Sequence, residues 1–207
     1  MDCPASSSKP QTLAVSTSDG QLALLQVTPA CLAPLVRWDA HNAEVWSVAH
    51  YGNCQARAAD DAWSQSLDLE PPTCMHTNRK AHAAGVCSIA PHPAHQHIVA
   101  TGSYDDQLRI WDLRQTAWPV VLSQASTTGG VWRLKWHPHD PTKLLAACMY
   151  GGFQVFSTVA VPKTGEAAGE GECQGHGSGG QATAGSQDLV VTASFYDQLL
   201  HLWSPES

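Results

Sequence analysis

A unit of three short apolar runs recurs along this chain, and it constrains the fold more than any other feature. The clearest copy, residues 85–111, reads GVCSIAPHPAHQHIVATGSYDDQLRIW, and turn-forming residues separate its runs. Short β-branched runs broken by turns are typical of antiparallel strands. Residues 81–90, around the start of this unit, match residues 40–49 at an offset of 41, and residues 85–93 match residues 130–138 at an offset of 45. A period of about 41 to 47 residues is that of a four-stranded propeller blade, so the sequence predicts a β-propeller.

Three residues of the clearest copy, with one histidine just upstream of it, resemble the signature of a WD40 blade. His82, Ser103, Asp105 and Trp111 stand where such a blade carries its His, its Ser or Thr, its Asp and its Trp. The turn before the third run recurs as well, at 18–20, 60–61, 105–106, 150–152 and 196–197. We therefore predict an all-β fold, an incomplete WD40 β-propeller with about four to five full or partial blades.

The quality of the repeat varies along the chain and suggests its organisation. Residues 1–11 are polar and rich in Pro and Ser, which predicts a disordered N-terminus. We predict WD40 blades over 12–157, a Gly-rich low-complexity linker over 163–187, and a terminal half-blade over 189–203. Around Asp60 the apolar alternation is lost, so that blade is either degenerate or locally altered, and we favour alteration. Because the repeat begins in mid-blade, we expect a truncated chain that lacks N-terminal blades.

Composition bounds the partners and the compartment. Charged residues make up 14% of the 207 residues, the net charge is −7, and no run of five basic residues occurs, which argues against a nucleic-acid partner. The seven cysteines show no CxxC spacing, which favours a reducing compartment, so we expect a cytoplasmic protein. No stretch approaches 18 apolar residues and the first residues hold no apolar segment, so we predict neither a membrane span nor a secretory signal.

One group of residues matches a hydrolytic triad by residue type. Ser103, His82 and Asp105 supply the three residue types of such a triad. A structural hydrogen-bonded network in the WD40 blade is the favoured interpretation, because triads are defined by geometry and not by composition. The sequence has no G-x-S-x-G segment, which excludes the mechanism of the α/β-hydrolases.

Two other groups could bind a ligand. His92, His95 and His97 could gather a metal ion, although histidines in a loop between strands more often stay solvated. Trp132 and Arg133 follow a Gly-Gly pair at the start of an inner strand, near the axial channel of a propeller. An aromatic ring and a cation could face a ligand there. Packing of the tryptophan between blades, with the arginine at the rim, is an equally good interpretation.

Beyond the generic repeat, several stretches resemble the diphthine methyltransferase family, also called diphthine methyl ester hydrolases. They cover about two thirds of residues 12–203 in consistent order, and GGVWR and SFYD are more specific than any WD40 signature. The stretches are STSDGQLALLQV, WDAHNAEVWSVA, AHAAGVCSIAPHP, VATGSYDDQLRIWDLR, GGVWRLKWHP with LLAACMYGGFQVF, and TASFYDQLLHLW.

The resemblance implies a carboxylic ester hydrolase of diphthamide biosynthesis. Its substrate and partner would be translation elongation factor 2, from which it would remove the methyl ester of methylated diphthine. Other diphthamide-synthesis proteins are further candidate partners, and no cofactor or metal is implied. The alternatives are a non-catalytic WD40 scaffold for protein–protein interaction and an inactive fragment of the enzyme, since most propellers bind and a fold does not fix a function.

An ester hydrolase needs a base that activates water and donors that stabilise the developing oxyanion. Turn and strand-start positions reach one face of a propeller. The catalytic candidates at such positions are His82, Asp105, Arg133 and Asp197.

Overall fold

The computed structural model describes residues 12–51, 54–59, 63–67, 73–114, 119–158, 174–176, 190–193 and 200–203. Every regular element in these residues is a β-strand, and the strands form five antiparallel sheets, which we number blades 1 to 5 in chain order. This architecture confirms the predicted fold class, an all-β WD40 propeller that is partial. Within the same residues, no helix is long and apolar enough to span a bilayer.

Blades 2, 3 and 4 have four strands each, blade 1 has three and blade 5 has two. Consecutive strands pair within each blade, and the first strands of blades 2, 3 and 4 contact one another, which makes them the inner strands. Blade 1 holds β1 (Thr12–Ser16), β2 (Gln21–Val27) and β3 (Leu32–Asp39); blade 2 holds β4 (Val45–Tyr51), β5 (Cys54–Ala59), β6 (Trp63–Leu67) and β7 (Thr73–Asn78). Blade 3 holds β8 (Val86–Pro91), β9 (Ile98–Ser103), β10 (Gln107–Asp112) and β11 (Val120–Ser126); blade 4 holds β12 (Val131–Trp136), β13 (Lys143–Cys148), β14 (Gly152–Ser157) and β15 (Gln174–His176); blade 5 holds β16 (Val190–Ala193) and β17 (Leu200–Trp203).

Blade 3 is buried on both of its faces. Ile98 and Ala100 belong to a core shared with blade 4, whereas Val99 and Trp111 belong to a second cluster that Ala49 of blade 2 joins. Because successive residues of a strand point to opposite faces, every residue of β9 is buried. The run IVATGS therefore shows no alternation of apolar and polar residues, as expected for a strand covered on both sides.

Hydrogen bonds join the inner strands of blades 3 and 4. The indole N–H of Trp136 donates to the carbonyl of Ala90 over 3.0 Å, and the backbone N–H of Leu134 donates to the hydroxyl of Ser88, also over 3.0 Å. These bonds fix β12 beside β8, so the residues at the starts of the two strands have defined relative positions.

Two stretches singled out in the sequence pair as strands. Residues 174–176, inside the predicted linker, form β15 at the edge of blade 4. Blade 2 pairs four strands although its repeat is poor, and the register places Arg57 and Ser66 where blade 3 has Thr101 and Trp111. Asp60, residues 1–11 and the rest of 163–187 lie outside the described residues, so the other predicted domain bounds stay predictions.

Blades 3 and 4 approach closely at Gly102, which gives a test of this packing. A Cβ at position 102 would lie 2.3 Å from Cγ1 of Val131 and 2.7 Å from its Cβ. We expect Gly102→Ala to lower the free energy of unfolding by about 1–3 kcal/mol in urea denaturation, because the inner strand must shift.

The control for that experiment is a double-mutant cycle with Val131→Ala, which removes the nearer of the two clashing atoms. The double variant should be more stable than the sum of the two single losses predicts. Strict additivity, or no loss in Gly102→Ala, would contradict the packing described here.

Candidate functional site

A chain of hydrogen bonds crosses blade 3 from its core to the β9–β10 turn. The indole N–H of Trp111 donates to the hydroxyl of Thr101 over 2.8 Å, and Nε2 of His82 lies 2.8 Å from the same hydroxyl oxygen. Nδ1 of His82 lies 3.0 Å from Oδ2 of Asp105. Because an ionised carboxylate only accepts, Nδ1 carries the proton and the Thr101 hydroxyl donates to Nε2. Each of these buried polar side chains therefore has a hydrogen-bond partner.

The hydroxyl in this network is that of Thr101, so the assignment of Ser103 to the WD40 signature was wrong. The Ser103 hydroxyl donates to the carbonyl of Ala84 over 3.0 Å and accepts the N–H of Asp105. Nδ1 of His82 faces Asp105 in the β9–β10 turn. Nε2, on the other side of the ring, therefore meets Thr101, which lies further from the turn in β9. Thr101 precedes Ser103 by two positions and lies on the same face of the strand.

The surroundings of this network favour a neutral His82 imidazole beside an ionised Asp105 carboxylate. Burial lowers the pKa of His82 and outweighs the opposing effect of Asp105, and Arg109 lowers it further. Burial alone would raise the pKa of Asp105, but the N–H of Ala83 together with His82 and Arg109 holds that pKa below its ordinary range. Nη1 of Arg109 donates to Oδ2 of Asp105 over 3.1 Å; its 2.6 Å approach to Nδ1 of His82 is a contact, since that nitrogen already carries a proton.

The network lacks the geometry of a nucleophilic triad. The Ser103 hydroxyl is directed to a backbone carbonyl, and both ring nitrogens of His82 have partners. The side chains of His82 and Asp105 are only 3% and 6% exposed. A catalytic role for these two residues stays a prediction, and their contacts favour a structural one.

The three histidines considered as metal ligands do not converge on one point. Nε2 of His92 donates to the carbonyl of Pro141 over 3.0 Å, and its Nδ1 accepts the N–H groups of Ala94 and His95. With both nitrogens occupied, His92 has no lone pair for a metal ion. Across the described ranges, no group of three His, Cys, Asp or Glu residues is arranged to hold one.

A second constellation lies at the starts of the inner strands. Each of β4, β8 and β12 has a β-bulge at its second residue, so the register of strand pairing skips Trp46, Cys87 and Trp132. The rings of Trp46 and Trp132 meet with centroids 5.5 Å apart at an interplanar angle of 75°. Tyr104, in the β9–β10 turn, is 6.3 Å from Trp46 and 6.0 Å from Trp132, at 82° to each. We call Trp46, Tyr104 and Trp132 the aromatic corner.

Arg133 lies at the edge of the aromatic corner. Its Cζ is 6.0 Å from the ring centroid of Trp132, and its Nη1 donates to the carbonyls of Cys87 and Trp132 over 3.4 and 3.3 Å. Both Arg133 and Trp132 are exposed, the latter by 37%. The ring of Trp132 packs against Trp46 and Tyr104 of other blades, as the second interpretation of this pair predicts, whereas a ligand at this position stays a prediction.

The four predicted site residues thus fall into separate places. His82 and Asp105 are joined in the buried network, Arg133 lies at the aromatic corner, and Asp197 lies outside the described residues. Sequence reasoning missed Trp46 and Tyr104 as members of a site. The signal for Trp46 was present, because the repeat aligns it with Trp132 as a tryptophan that follows the first valine of an inner strand.

Comparisons with known proteins agree with this architecture. The family model for the WD domain, G-beta repeat, matches residues 72–112. Diphthine methyltransferase of Homo sapiens is 39% identical over 154 residues, 72% of this chain and 34% of that protein. The diphthine methyltransferase homolog of Dictyostelium discoideum is 32% identical over 220 residues, 93% of this chain and 59% of that protein. This chain therefore spans only part of the length of these relatives.

A solved structure supports the fold alone. A chain in the crystal structure of the mitotic checkpoint complex superposes with a TM-score of 0.71 at 17% sequence identity. The superposition covers 95% of this chain and 59% of that one.

The network assignment can be tested with Thr101→Val, which keeps the shape of the side chain and removes the hydroxyl. Trp111 and His82 would each lose a buried partner, so we expect a loss of about 1–3 kcal/mol in the free energy of unfolding. Thr142→Val is the matched control, because that hydroxyl is exposed and pairs with Asp140 at the surface. The control should stay within about 0.5 kcal/mol of the wild type. Equal effects of the two substitutions would contradict the assignment.

The lowered pKa of His82 predicts how stability depends on pH. The unfolded chain takes up a proton near the ordinary pKa of 6.5, whereas the folded protein resists it. Stability is therefore complete above that pH and decreases as the pH falls below it, with a slope of up to about 1.4 kcal/mol per pH unit from one histidine. We expect His82→Gln to be less stable at pH 8 but to lose less further stability between pH 7 and 5. A slope equal to that of the wild type would show that His82 is not responsible.

Proposed function

Because this chain belongs to the diphthine methyltransferase family of WD40-repeat proteins, we propose that it hydrolyses the methyl ester of methylated diphthine on translation elongation factor 2. Water would add to the ester carbonyl and methanol would leave, so that the products are a carboxylate, methanol and a proton. The modified elongation factor is then the protein substrate, and the step belongs to diphthamide biosynthesis.

The family similarity is the observation that carries this proposal. It extends over 72% of the chain for the human relative and 93% for the Dictyostelium relative, and it includes blade 3 and the start of β12. Both relatives are named for methyl transfer. Ester hydrolysis is our proposal. It must be distinguished from transfer of a methyl group to the substrate.

Arg133 is the best supported of the catalytic candidates. Its guanidinium is exposed, and its hydrogen bonds to two backbone carbonyls come from Nη1, which leaves Nη2 and Nε to point elsewhere. A guanidinium beside the carbonyl oxygen would stabilise the negative charge that develops as water adds. His82 and Asp105 would instead position the β9–β10 turn that carries Tyr104. Asp197 remains a candidate base for activating water.

The reducing compartment predicted from the cysteines is part of the proposal. Among the described residues, Cys31, Cys87 and Cys148 form no disulfide, and Cys87 and Cys148 are buried in the blades. Such thiols fit a cytoplasmic enzyme, where the elongation factor would be met.

A protein-binding scaffold is the second candidate function. The β13–β14 turn and the start of β14 expose three large apolar side chains: Met149 by 38%, Tyr150 by 89% and Phe153 by 41%. Clustered exposed apolar side chains are typical of protein interaction sites. The same surface would also serve an enzyme whose substrate is a protein.

The proposal is tested by measuring methanol release from elongation factor 2 that carries methylated diphthine. We expect release by the intact chain and a decrease of about 10²-fold or more in kcat for Arg133→Ala, because the oxyanion loses its donor. Lys135→Ala is the matched control, an exposed cation two residues along the same strand, and it should retain the wild-type rate.

Three outcomes would contradict parts of this proposal. Binding of the elongation factor without methanol release would favour the scaffold. Incorporation of a labelled methyl group from S-adenosylmethionine, with no methanol formed, would favour methyl transfer. Release at the same rate by Arg133→Ala would remove Arg133 from the mechanism while leaving the hydrolase intact.

A further inference from the structure

We infer that His92 joins blade 3 to blade 4 in a pH-dependent way. The neutral ring holds the β8–β9 loop, residues 92–97, against the β12–β13 loop, residues 137–142, and protonation of the ring releases it. We call the His92 ring and its three hydrogen bonds the His92 link. This conformational device belongs to the fold and does not depend on the proposed hydrolysis.

The hydrogen bonds of His92 determine its protonation state. Its Nδ1 accepts the backbone N–H of Ala94 over 3.1 Å and that of His95 over 3.0 Å. Because a backbone N–H can only donate, Nδ1 carries a lone pair and no proton. The proton of the neutral ring is therefore on Nε2, which donates to the carbonyl of Pro141 over 3.0 Å. The neutral ring with its proton on Nε2 is the form that satisfies all three partners.

Blade 4 contains a turn of the same kind, which shows what the histidine adds in blade 3. Nδ1 of His137 accepts the N–H groups of His139 and Asp140 over 3.1 and 2.8 Å. A turn of this kind needs one acceptor atom, and the shorter side chains of Asn, Asp and Ser commonly supply it. An imidazole has a second nitrogen on the far side of its ring. In His92 this nitrogen reaches the next blade, so the residue joins two loops as well as closing one.

The surroundings of His92 also favour the neutral ring. The residue is 5% exposed, and its ring meets that of Trp136 with centroids 4.6 Å apart at 66°. Burial lowers the pKa of His92 and outweighs the hydrogen bond to the Pro141 carbonyl, which raises it. Positive charge on His95, whose ring centroid is 4.8 Å away, and on His97 lowers the pKa further.

The groups that blade 4 presents to His92 do not titrate. They are the Pro141 carbonyl and the Trp136 indole. The carboxylate of the β12–β13 loop belongs to Asp140, which accepts the hydroxyl of Thr142 and lies 3.6 Å from Nζ of Lys143. The pH response of the link is therefore that of His92 itself, modified by the two histidines of its own loop.

Protonation would turn Nδ1 from an acceptor into a donor. It would then face the N–H groups of Ala94 and His95, so both bonds are lost and the ring must leave its position. A charged ring is attracted to the face of Trp136, which opposes this step. That attraction leaves two backbone donors unpaired in the loop, and the bond to Pro141 is lost as the ring moves.

The direction of the pH effect follows from the lowered pKa. The released ring takes up a proton near the ordinary pKa of 6.5, whereas the ring in the link resists it. The link is therefore complete above that pH and weakens as the pH falls below it. One histidine changes the equilibrium between linked and released loop by up to about tenfold per pH unit.

The first test uses the intact chain and no variant. Nitrogen NMR of the His92 ring at about pH 7.5 should show a proton on Nε2 and none on Nδ1. Hydrogen exchange of the Ala94 and His95 amides, corrected for the intrinsic pH dependence of exchange, should lose up to about tenfold of its protection per pH unit below pH 6.5. A proton on Nδ1 at neutral pH, or protection that does not change with pH, would overturn the inference.

The contact with blade 4 needs its own measurement. The amide of Thr142 directly follows the Pro141 carbonyl, so its chemical shift should change with the same midpoint as the His92 ring. A Thr142 amide that is insensitive to the titration of His92 would contradict the joining of the two blades.

Variants then assign the response to one residue. His92→Asn keeps an acceptor for the turn, but it does not titrate and is too short to reach Pro141. We expect its Ala94 and His95 amides to have nearly constant protection between about pH 7 and 5. His139→Asn is the matched control, an exposed histidine of the β12–β13 loop, and it should respond to pH like the wild type. A wild-type response in His92→Asn would overturn the assignment.

Discussion

The contact between the faces of neighbouring blades is the interaction on which the rest of this structure depends. Each sheet is too small to bury apolar surface alone, and its strands become a core only when the next blade covers them. Blade 3 shows this most clearly, since Ile98 and Val99, adjacent in sequence, belong to two different clusters on its two faces. Gly102 and Val131 mark how closely the blades approach. The relative positions of residues in different blades therefore follow from apolar packing.

The polar network of blade 3 adds local order to this packing but is not required in every blade. In blade 4, the register places Ala146 and Phe156 where blade 3 has Thr101 and Trp111, and both are fully buried. Apolar contact replaces the hydrogen bonds at the same positions. The β13–β14 turn differs from the β9–β10 turn as well. Its Gly151 packs against Thr128 so tightly that a Cβ would lie 1.8 Å from the Thr128 hydroxyl oxygen. Blades of unlike sequence can therefore have one geometry.

This explains how much could be predicted from the sequence. The strands of blades 1 and 3 and the network that joins His82 with Asp105 follow from local pattern and from spacing within one repeat, and both were predicted, whereas β15 lies in a stretch predicted to be a linker. The choice between Thr101 and Ser103 was not decidable, because both are hydroxyl residues on one face of one strand and only the register separates them. Trp46 and Tyr104 are 58 residues apart in sequence, and only packing between blades brings their rings to 6.3 Å. Patterns within one repeat do not predict contacts of that kind.

The aromatic corner depends on the same contact. Its rings come from β4, the β9–β10 turn and β12, so each ring is positioned by a different blade and none could be aligned by its own strand alone. The β-bulges at Trp46 and Trp132 free these residues from the strand ladder and let their side chains turn toward a shared space. A substitution that separates the blades would then disturb the aromatic corner even if it lies outside the corner's three residues. Stability and the geometry of the aromatic corner should therefore respond together to changes at the blade interface.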